Sequence, residues 1–389
     1  MGTEIGHRFR TEGRRTGGRY NTASPMRANR SPRLLVFVVV AMVAAACGGG
    51  KPKSSGQGTK AGQALPAPSA ASPAAGKCPL TDLDPPPGVK VDRFVLGVKI
   101  DGSIASKSPS GQSGLDSADI VYDEPVEGGF GRFLALYQCG NPTKVGPIRE
   151  ARAEDPSLLA QYGSGILASA GIPPDVLQAV TSTAGLVNED SIRHGTAYFR
   201  DSTGRQAPYN LFADPAKLRA YKVPATAVKP LAAPPSQFSF VPLVSPASGS
   251  TPSPSQSPKA GSIRFKLGPQ IQYQYDTATA SYLRSENSQP HVTDSGSQIR
   301  VVNVVVMWVQ MSNGQIADAA GNTTTPVPTV TGTGNAMVLT GGVEHDGTWS
   351  RPDEASVMSL LDSAGKPIPL SPGNTWIHII PKEEPVYVQ

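Results

Sequence analysis

The sequence predicts an α+β protein, in which a mixed α/β N-terminal domain is followed by a mainly antiparallel β C-terminal domain. Over residues 78–227, short apolar runs alternate with helix patterns. From residue 262 onward, strand patterns are separated by Gly, Asn, Asp and Ser turns. The 389 residues include 41 Gly and 38 Pro, a composition that favours loop-rich globular parts over a helical bundle.

Residues 1–46 are predicted to be a lipoprotein signal peptide. They carry eight arginines and two glutamates, a net charge of +6. Since the net charge of the whole chain is +5, residues 47–389 have a net charge of −1. A short apolar run at 34–43 is followed by Ala-Ala-Ala and then Cys47, which is typical of a secretory signal rather than a membrane span. An uncleaved membrane anchor is the alternative, and Met26 is an alternative start. Without this leader the chain lacks the basic charge of a nucleic-acid-binding protein.

We therefore expect Cys47 to be lipidated and to hold the exported protein on the outer face of the cell membrane. Stable anchoring takes more than one acyl chain, so a diacylated cysteine is expected. Cys78 and Cys139 remain as an even pair in an oxidising compartment, where they form either a disulfide or two unpaired thiols. No Cys-x-x-Cys or His/Cys cluster occurs, so the sequence predicts neither a structural zinc site nor a cofactor.

The remaining segments follow from composition and hydrophobic pattern. A disordered Ala/Ser/Pro/Gly tether is expected at 47–77 and a Pro/Ser-rich connector with one short strand, 238–241, at 228–261. In the N-terminal domain, strands are expected at 93–100, 119–122, 133–137 and 165–169, and helices at 155–162, 174–180 and 214–221. In the C-terminal β-rich domain, 262–389, strands are expected at 263–267, 271–275, 281–284, 299–311, 336–340 and 375–380, with a tight turn and an exposed His and Asp at 345–349.

The stretch 113–152 holds the most informative polar residues. Two buried strands flank a loop that contains three glycines, and a Gly-Pro-Ile-Arg-Glu-Ala-Arg string follows them. The carboxylates near these strand ends stand on or beside loops, where sites are usually built.

These residues resemble the YerB-like lipoprotein family, which is catalogued as a domain of unknown function with N- and C-terminal parts. The first part of the resemblance is carried by residues 98–101, 112–115, 118–122, 126–129, 132–135, 146–149 and 151–152. The second part is carried by residues 275–276, 282–284, 291, 303–306, 347–349 and 373–377. The resemblance implies a lipoprotein on the outer face of a Gram-positive-type membrane, and no settled biochemical activity.

Three arginines, Arg132, Arg149 and Arg152, suggest a site for an anionic ligand. Guanidinium groups bind carboxylates and phosphates in a bidentate manner. The alternative is that they pair internally with nearby carboxylates, because charges beside buried strands usually need partners. The carboxylates considered are Asp123, Glu124, Glu127 and Asp155.

Glu124, Glu127 and Asp101 are candidates for acid–base catalysis, with Asp123 beside them. A solvated or ion-paired loop is the alternative. Metal binding by Asp101 and the Asp123/Glu124 pair is a further alternative, although their spacing matches no recognisable metal motif. No Gly-x-Ser-x-Gly elbow is present, and the sequence predicts no nucleophile triad.

Two further candidates lie elsewhere. His194, the only histidine of the N-terminal domain, is either a ligand-binding or a structural residue. In the C-terminal domain, polar and aromatic side chains could line a groove, with burial in the core as the alternative for the tryptophans. The groove candidates are Arg284, His291, Asn303, Trp349 and Trp376.

The favoured hypothesis is an envelope lipoprotein that binds an anionic cell-wall component or an envelope partner at Glu127, Arg132, Arg149 and Arg152. A peptidoglycan hydrolase that uses Glu127 or Glu124 as general acid is the first alternative. A structural scaffold for other envelope proteins is the second.

Overall fold

The computed structural model describes residues 76–102, 111–127, 131–220, 230–241, 263–265 (backbone only), 271–314 and 325–388. All of them belong to one compact unit, residues 65–389. The predicted signal peptide, Cys47, nearly all of the tether and most of the 228–261 connector lie outside the described residues.

In the part that the structure describes, the N-terminal segment contains seven strands and three α-helices. They are β1 (Val95–Asp101), β2 (Ile120–Pro125), β3 (Gly131–Tyr137), α1 (Asp155–Ala160), β4 (Gly165–Ser169), α2 (Pro174–Ser182), β5 (Leu186–Asp190), β6 (Tyr198–Arg200), β7 (Leu211–Ala213) and α3 (Pro215–Arg219).

The C-terminal segment is formed of strands in the part that the structure describes. They are β8 (Ile263–Phe265), β9 (Ile271–Asp276), β10 (Ser281–Glu286), β11 (Gln289–Pro290), β12 (Arg300–Val301), β13 (Asn303–Val309), β14 (Met311–Gly314), β15 (Thr325–Pro328), β16 (Gly332–Thr340), β17 (Val343–Arg351), β18 (Ser359–Leu361), β19 (Thr375–Pro381) and β20 (Val386–Val388).

Strands of both segments form one ten-stranded mixed sheet, in the order β18-β17-β16-β13-β19-β2-β3-β1-β4-β5. The two segments meet where β19 runs parallel to β2, with Trp376 opposite Val121. The smaller sheets are β9–β12, β14–β15, β8–β20 and β6–β7. The fold is thus mostly β with little helix, which agrees with the predicted α+β class in this coarse sense. The predicted domain boundaries stay a prediction.

Side chains of the main sheet bury two separate apolar cores, one on each face. The first core includes Ile120, Leu134 and Leu136, and the residues of α1 and α2 pack against it. The second core includes Val121, Phe133 and Ala135, and the β9–β12 sheet and α3 cover it. Since successive strand residues point to opposite faces, central strands such as β2 and β3 contribute to both cores. Among the described residues, no helix has the length and apolar character needed to cross a membrane.

The predicted tight turn at 345–349 is wrong. These residues lie within β17, which pairs with β16 along its length. The hairpin turn lies earlier, at Gly341 and Gly342, whose φ angles of 59° and 77° suit a two-residue connection. Gly347, part of the Asp-Gly pair that suggested a turn, instead lies where a Cβ would be 2.2 Å from the Leu361 carbonyl oxygen of the neighbouring strand.

The predicted short strand of the connector also differs from the structure. Residues 238–241 make one bridge, Phe240 to Leu370, rather than a strand. Cys78 and Cys139 form a disulfide, which joins the segment before β1 to the residues that follow β3.

The sheet order places polar residues together at one edge. β1, β2, β4, β5, β13 and β19 run in the same direction, so their carboxyl ends meet at the same edge of the sheet. Ligands of open α/β sheets usually bind outside this edge. The polar strand ends include Asp101 of β1, Glu124 of β2 and Asp190 of β5.

Candidate functional site

Six charged side chains form a cluster at this edge, which we call the arginine corner. Strand register brings Arg132 of β3 directly between Asp101 of β1 and Glu124 of β2. The loop that follows β3 supplies three further members. The arginine corner consists of Asp101, Glu127, Arg132, Arg149, Glu150 and Arg152, three arginines and three carboxylates that sum to a net charge of zero.

Glu150 lies at the centre of the corner. Its Oε1 accepts hydrogen bonds from Arg152 Nη2 at 2.9 Å and lies 3.0 Å from Arg132 Nη2, while its Oε2 accepts from Arg149 Nε at 3.2 Å. Burial by itself would raise the pKa of Glu150, but the charges of Arg132, Arg149 and Arg152 outweigh burial and lower the pKa to about 2. The Glu150 side chain is still 38% exposed, so the anionic centre of the corner is open to solvent.

The two outer arginines are each held by a second carboxylate. Arg152 donates to both oxygens of Glu127, at 2.8 and 3.0 Å, and Thr325 of β15 donates to Glu127 at 2.6 Å. Arg149 Nη1 donates to Asp101 Oδ2 at 2.5 Å. These bonds fix the two guanidinium groups around Glu150.

Arg132 is the least satisfied member of the corner. Its side chain is only 7% exposed, and burial lowers its pKa. Among the described residues, its Nε and Nη1 have no hydrogen-bond partner, and Arg152 Nε has none either. Buried guanidinium N–H groups are usually paired, so the corner retains capacity for an additional acceptor.

A fully buried cluster lies beside the corner on the same face of the sheet. Lys99 of β1 donates to Glu124 at 2.5 Å and to Asp155 of α1 at 2.8 Å, and Glu154 lies close by. Burial raises the pKa of both Glu124 and Glu154 against the opposing charge of Lys99. Asp155 also accepts from the backbone N–H of Arg152 at 2.7 Å, so this cluster positions the corner.

The opposite face of the sheet carries a second buried network, which contains two of the predicted groove residues. Arg284 of β10 lies 3.4 Å from Asp123 and contacts Glu286 and His291. Burial and the charge of Arg284 lower the pKa of His291 well below its usual range. Asp123 is also 3.2 Å from Nδ1 of His378.

Arg284 and His291 are both buried in this network, so neither lines a groove that is open to solvent. Asn303, Trp349 and Trp376 are buried as well, in agreement with the core alternative for the tryptophans.

His194 does not belong to either cluster. It follows β5, is partly exposed, and has Nδ1 3.5 Å from Glu189 Oε1. His194 lies in the segment 193–197, which lines a separate cleft beside the end of β5.

Comparison with known proteins places the chain in a family. The sequence profile of the "Protein of unknown function (DUF3048) N-terminal domain" matches residues 80–228, and the profile of the DUF3048 C-terminal domain matches residues 262–377. The chain belongs to this family. The Bacillus subtilis (strain 168) protein named "Putative lipoprotein YerB" is 23% identical over 326 residues, which cover 78% of this chain and 90% of that protein.

The crystal structure of the YerB protein from Bacillus subtilis has the same fold. It matches with a TM-score of 0.62 at 22% identity, over 80% of this chain and 99% of that chain. At this identity the likeness concerns the fold alone.

Two of the expected carboxylate partners, Glu124 and Asp155, form ion pairs with Lys99 rather than with an arginine of the corner. The side chain of Asp123 lies on the opposite face of the sheet, where it contacts Arg284. Of the four expected partners, Glu127 alone forms a side-chain ion pair with one of the three arginines among the described residues, and that arginine is Arg152. Sequence reasoning missed Glu150 and Lys99. A lysine inside the apolar run of β1 was a usable signal, because a buried lysine requires carboxylate partners.

The catalytic hypothesis gains no support from this geometry. Glu124 is fully buried and Glu127 is held by Arg152 and Thr325, whose hydrogen bonds outweigh burial and lower its pKa. Asp101 is held by Arg149. A general acid needs a proton near neutral pH and access to substrate. The hydrolase assignment of Glu124 and Glu127 therefore stays a prediction.

Proposed function

We propose that this DUF3048 protein is an exported lipoprotein, anchored through Cys47 on the outer face of the cell membrane, that binds an anionic envelope component at the arginine corner. The ligand is a polymer or partner that presents phosphate or carboxylate groups. No cofactor takes part in the proposal.

Two arguments support the location. The apolar run, the three alanines and Cys47 follow the order of a lipoprotein signal. The relative from Bacillus subtilis also carries the word lipoprotein in its name. A Cys47→Ser chain is expected to leave the membrane fraction.

The observation that carries the binding proposal is Arg132, a buried arginine with two N–H groups that have no acceptor among the described residues. An anionic group at the corner would accept from them. It would also replace the contacts that Arg149 and Arg152 now make with Glu150. Charge-assisted and bidentate bonds of this kind are the strong hydrogen bonds of proteins.

The test measures binding of the full chain to a polyglycerol-phosphate teichoic acid, with neutral dextran as the uncharged reference. We expect Arg149→Ala/Arg152→Ala to weaken binding at least about tenfold, because two charge-assisted contacts are lost. Arg300→Ala is the matched control, since Arg300 is half-exposed and pairs with Asp276 in the small sheet.

Equal affinity of the wild type and the double variant would contradict the proposal. The thermal unfolding midpoint of each variant shows whether its fold is kept. Large losses of stability without any binding by the wild type would instead favour the scaffold alternative.

A further inference from the structure

A cleft of ≈ 410 Å³ lies at the outer edge of the main sheet and shares no residue with the arginine corner. It is bounded by the end of β5, by the segment 193–197 and by α3. Its size lies within the range of small-molecule sites, roughly 300–1,000 Å³. The lining residues are Glu189, Arg193, His194, Gly195, Thr196, Ala197, Lys217 and Ala220.

Glu189 contributes a buried carboxylate to the lining of this cleft. Its side chain is 3% exposed, and its Oε1 has no hydrogen-bond partner among the described residues. The Nδ1 atom of His194 lies 3.5 Å from this oxygen. Burial, together with the charge of Asp190, raises the pKa of Glu189 to about 7. Structural carboxyl groups normally have both oxygens paired, so this oxygen points to a ligand that donates a hydrogen bond.

Two cationic side chains stand at the exposed side of the same cleft. Arg193 is 47% exposed and donates to Asp190 at 2.7 Å. Lys217 is 64% exposed and lies 3.8 Å from Asp214. Each contact uses only part of the donor capacity, because an arginine has five N–H groups and a lysine three. The cleft therefore combines one deep acceptor with cations at its mouth.

We propose that this cleft binds a small zwitterion, an ammonium group close to a carboxylate, as in an amino acid or a short peptide. The ammonium donates to the Glu189 carboxylate, and the carboxylate of the ligand accepts from Arg193 and Lys217. A simple amine would be repelled by the cations at the mouth. A simple anion would leave Oε1 of Glu189 without a donor.

Calorimetric titration of the full chain with matched probes tests this assignment. Alanine carries both groups, propionate only the anion and ethylamine only the cation, while alanyl-alanine distinguishes a peptide from a free amino acid. We expect alanine or alanyl-alanine to bind at least about tenfold more tightly than either half-probe, because one charge-assisted contact contributes roughly that factor.

Two variants test which side chain binds the ammonium group of the ligand and which binds its carboxylate. Glu189→Gln keeps the shape and is expected to weaken alanine binding about tenfold or more. Lys217→Ala, at an exposed position, is expected to weaken the binding of alanine and propionate but not that of ethylamine, because the change removes one of the two cations that repel an amine. Lys382→Ala is the control, since Lys382 is exposed and pairs with Glu383 at 3.6 Å.

The pH profile gives an independent readout. Glu189 accepts best when ionised, so alanine affinity should rise between pH 6 and 8, about one unit either side of its pKa. The other charged or titratable groups around the cleft are Asp190, Arg193, His194, Tyr198, Asp214 and Lys217. The rise must therefore disappear in Glu189→Gln.

No binding of alanine and alanyl-alanine, or equal affinities of the wild type and Glu189→Gln, would overturn the proposal. If Glu189→Gln lowers the thermal midpoint, Lys217→Ala decides the question, and unchanged alanine affinity in that variant would count against it. The result does not depend on the arginine corner, because neither variant touches it.

Discussion

Glu150 places a carboxylate where three arginine side chains converge. Its contacts with Arg132, Arg149 and Arg152 are all within 3.2 Å, and its side chain remains partly exposed. The same position would suit an anionic group of a ligand at this corner. At the scale of one residue, the chain therefore supplies its own anion, with which the proposed anionic ligand would compete.

Glu150→Gln should consequently strengthen anion binding. The change removes one competing charge and gives the corner a net charge of +1. We expect inorganic phosphate, titrated into the full chain by calorimetry, to bind about tenfold more tightly to the variant, the factor that corresponds to one charge-assisted hydrogen bond. Because the pKa of Glu150 is about 2, Glu150 stays ionised between pH 5 and 8, so any pH dependence of the gain in this range comes from the ionisation of the phosphate and not from Glu150.

Glu383→Gln is the control, because Glu383 is well exposed and pairs with Lys382. An unchanged or weaker phosphate affinity of Glu150→Gln would show that Glu150 positions the arginines rather than competing with the ligand. In that case the binding proposal itself would still be tested by the arginine variants.

The arginines of the corner could be predicted from sequence, but of their carboxylate partners only Glu127 was named correctly. Arg132, Arg149 and Arg152 stand close together in the chain, beside glycines and strand ends, and this composition is visible without coordinates. Which carboxylate each arginine binds depends on strand register. A shift of one residue would move Glu124 from the face of Lys99 to the face of Arg284.

At the scale of elements, Asp119 connects the start of β2 to the end of β3. Its carboxylate accepts from the backbone N–H groups of Gln138 at 2.5 Å, Cys139 at 2.9 Å and Gly140 at 3.0 Å. The disulfide joins the same turn to Cys78. These bonds fix the β2–β3 register, and this register places Glu124 of β2 opposite Arg132 of β3.

Asp119→Ala is expected to lower the unfolding free energy by roughly 2–4 kcal/mol, because two buried N–H groups and one partly buried N–H group lose their acceptor. Chemical denaturation followed by far-UV circular dichroism measures the change. Asp116→Ala is the matched control, since Asp116 is exposed on the turn three residues earlier. A loss in the control as large as that in Asp119→Ala would show that the effect belongs to the whole turn.

Strands and helices with a clear hydrophobic pattern or a helix-start signal could be predicted from the sequence, and those without such a signal could not. The prediction of 165–169 coincides with β4, and α2 begins at Pro174 as expected. β5 was missed because Leu-Val-Asn-Glu-Asp has little apolar character, as suits an edge strand. β17 was mistaken for a turn because its Asp-Gly pair is a common turn signal, whereas pairing with β16 and β18 holds it extended.

At the scale of the whole molecule, the joint sheet could not be inferred from the sequence. β2 and β19 lie side by side although about 250 residues separate Ile120 from Thr375. Parallel pairing across such a separation leaves no local signature. Composition indicated two segments and a Pro/Ser-rich connector, but it could not show that both segments contribute strands to one sheet.

This joint sheet predicts that the two segments unfold together. Trp376 of β19 is fully buried, and its ring packs edge-on against Phe133 of β3 at 5.2 Å between centroids. Loss of β2 and β3 would therefore expose the centre of the sheet to water, and the remaining strands would lose one neighbour and much of their cover.

All three tryptophans, Trp308, Trp349 and Trp376, lie in the C-terminal segment, so their fluorescence reports on that segment. We expect the midpoint of the fluorescence transition to coincide with that of circular dichroism, as in cooperative unfolding. Asp119→Ala, a change in the N-terminal segment, should shift both midpoints by the same amount. A fluorescence transition that stays in place while circular dichroism shows a separate earlier phase would mean that the two segments unfold independently, despite the β2–β19 pairing.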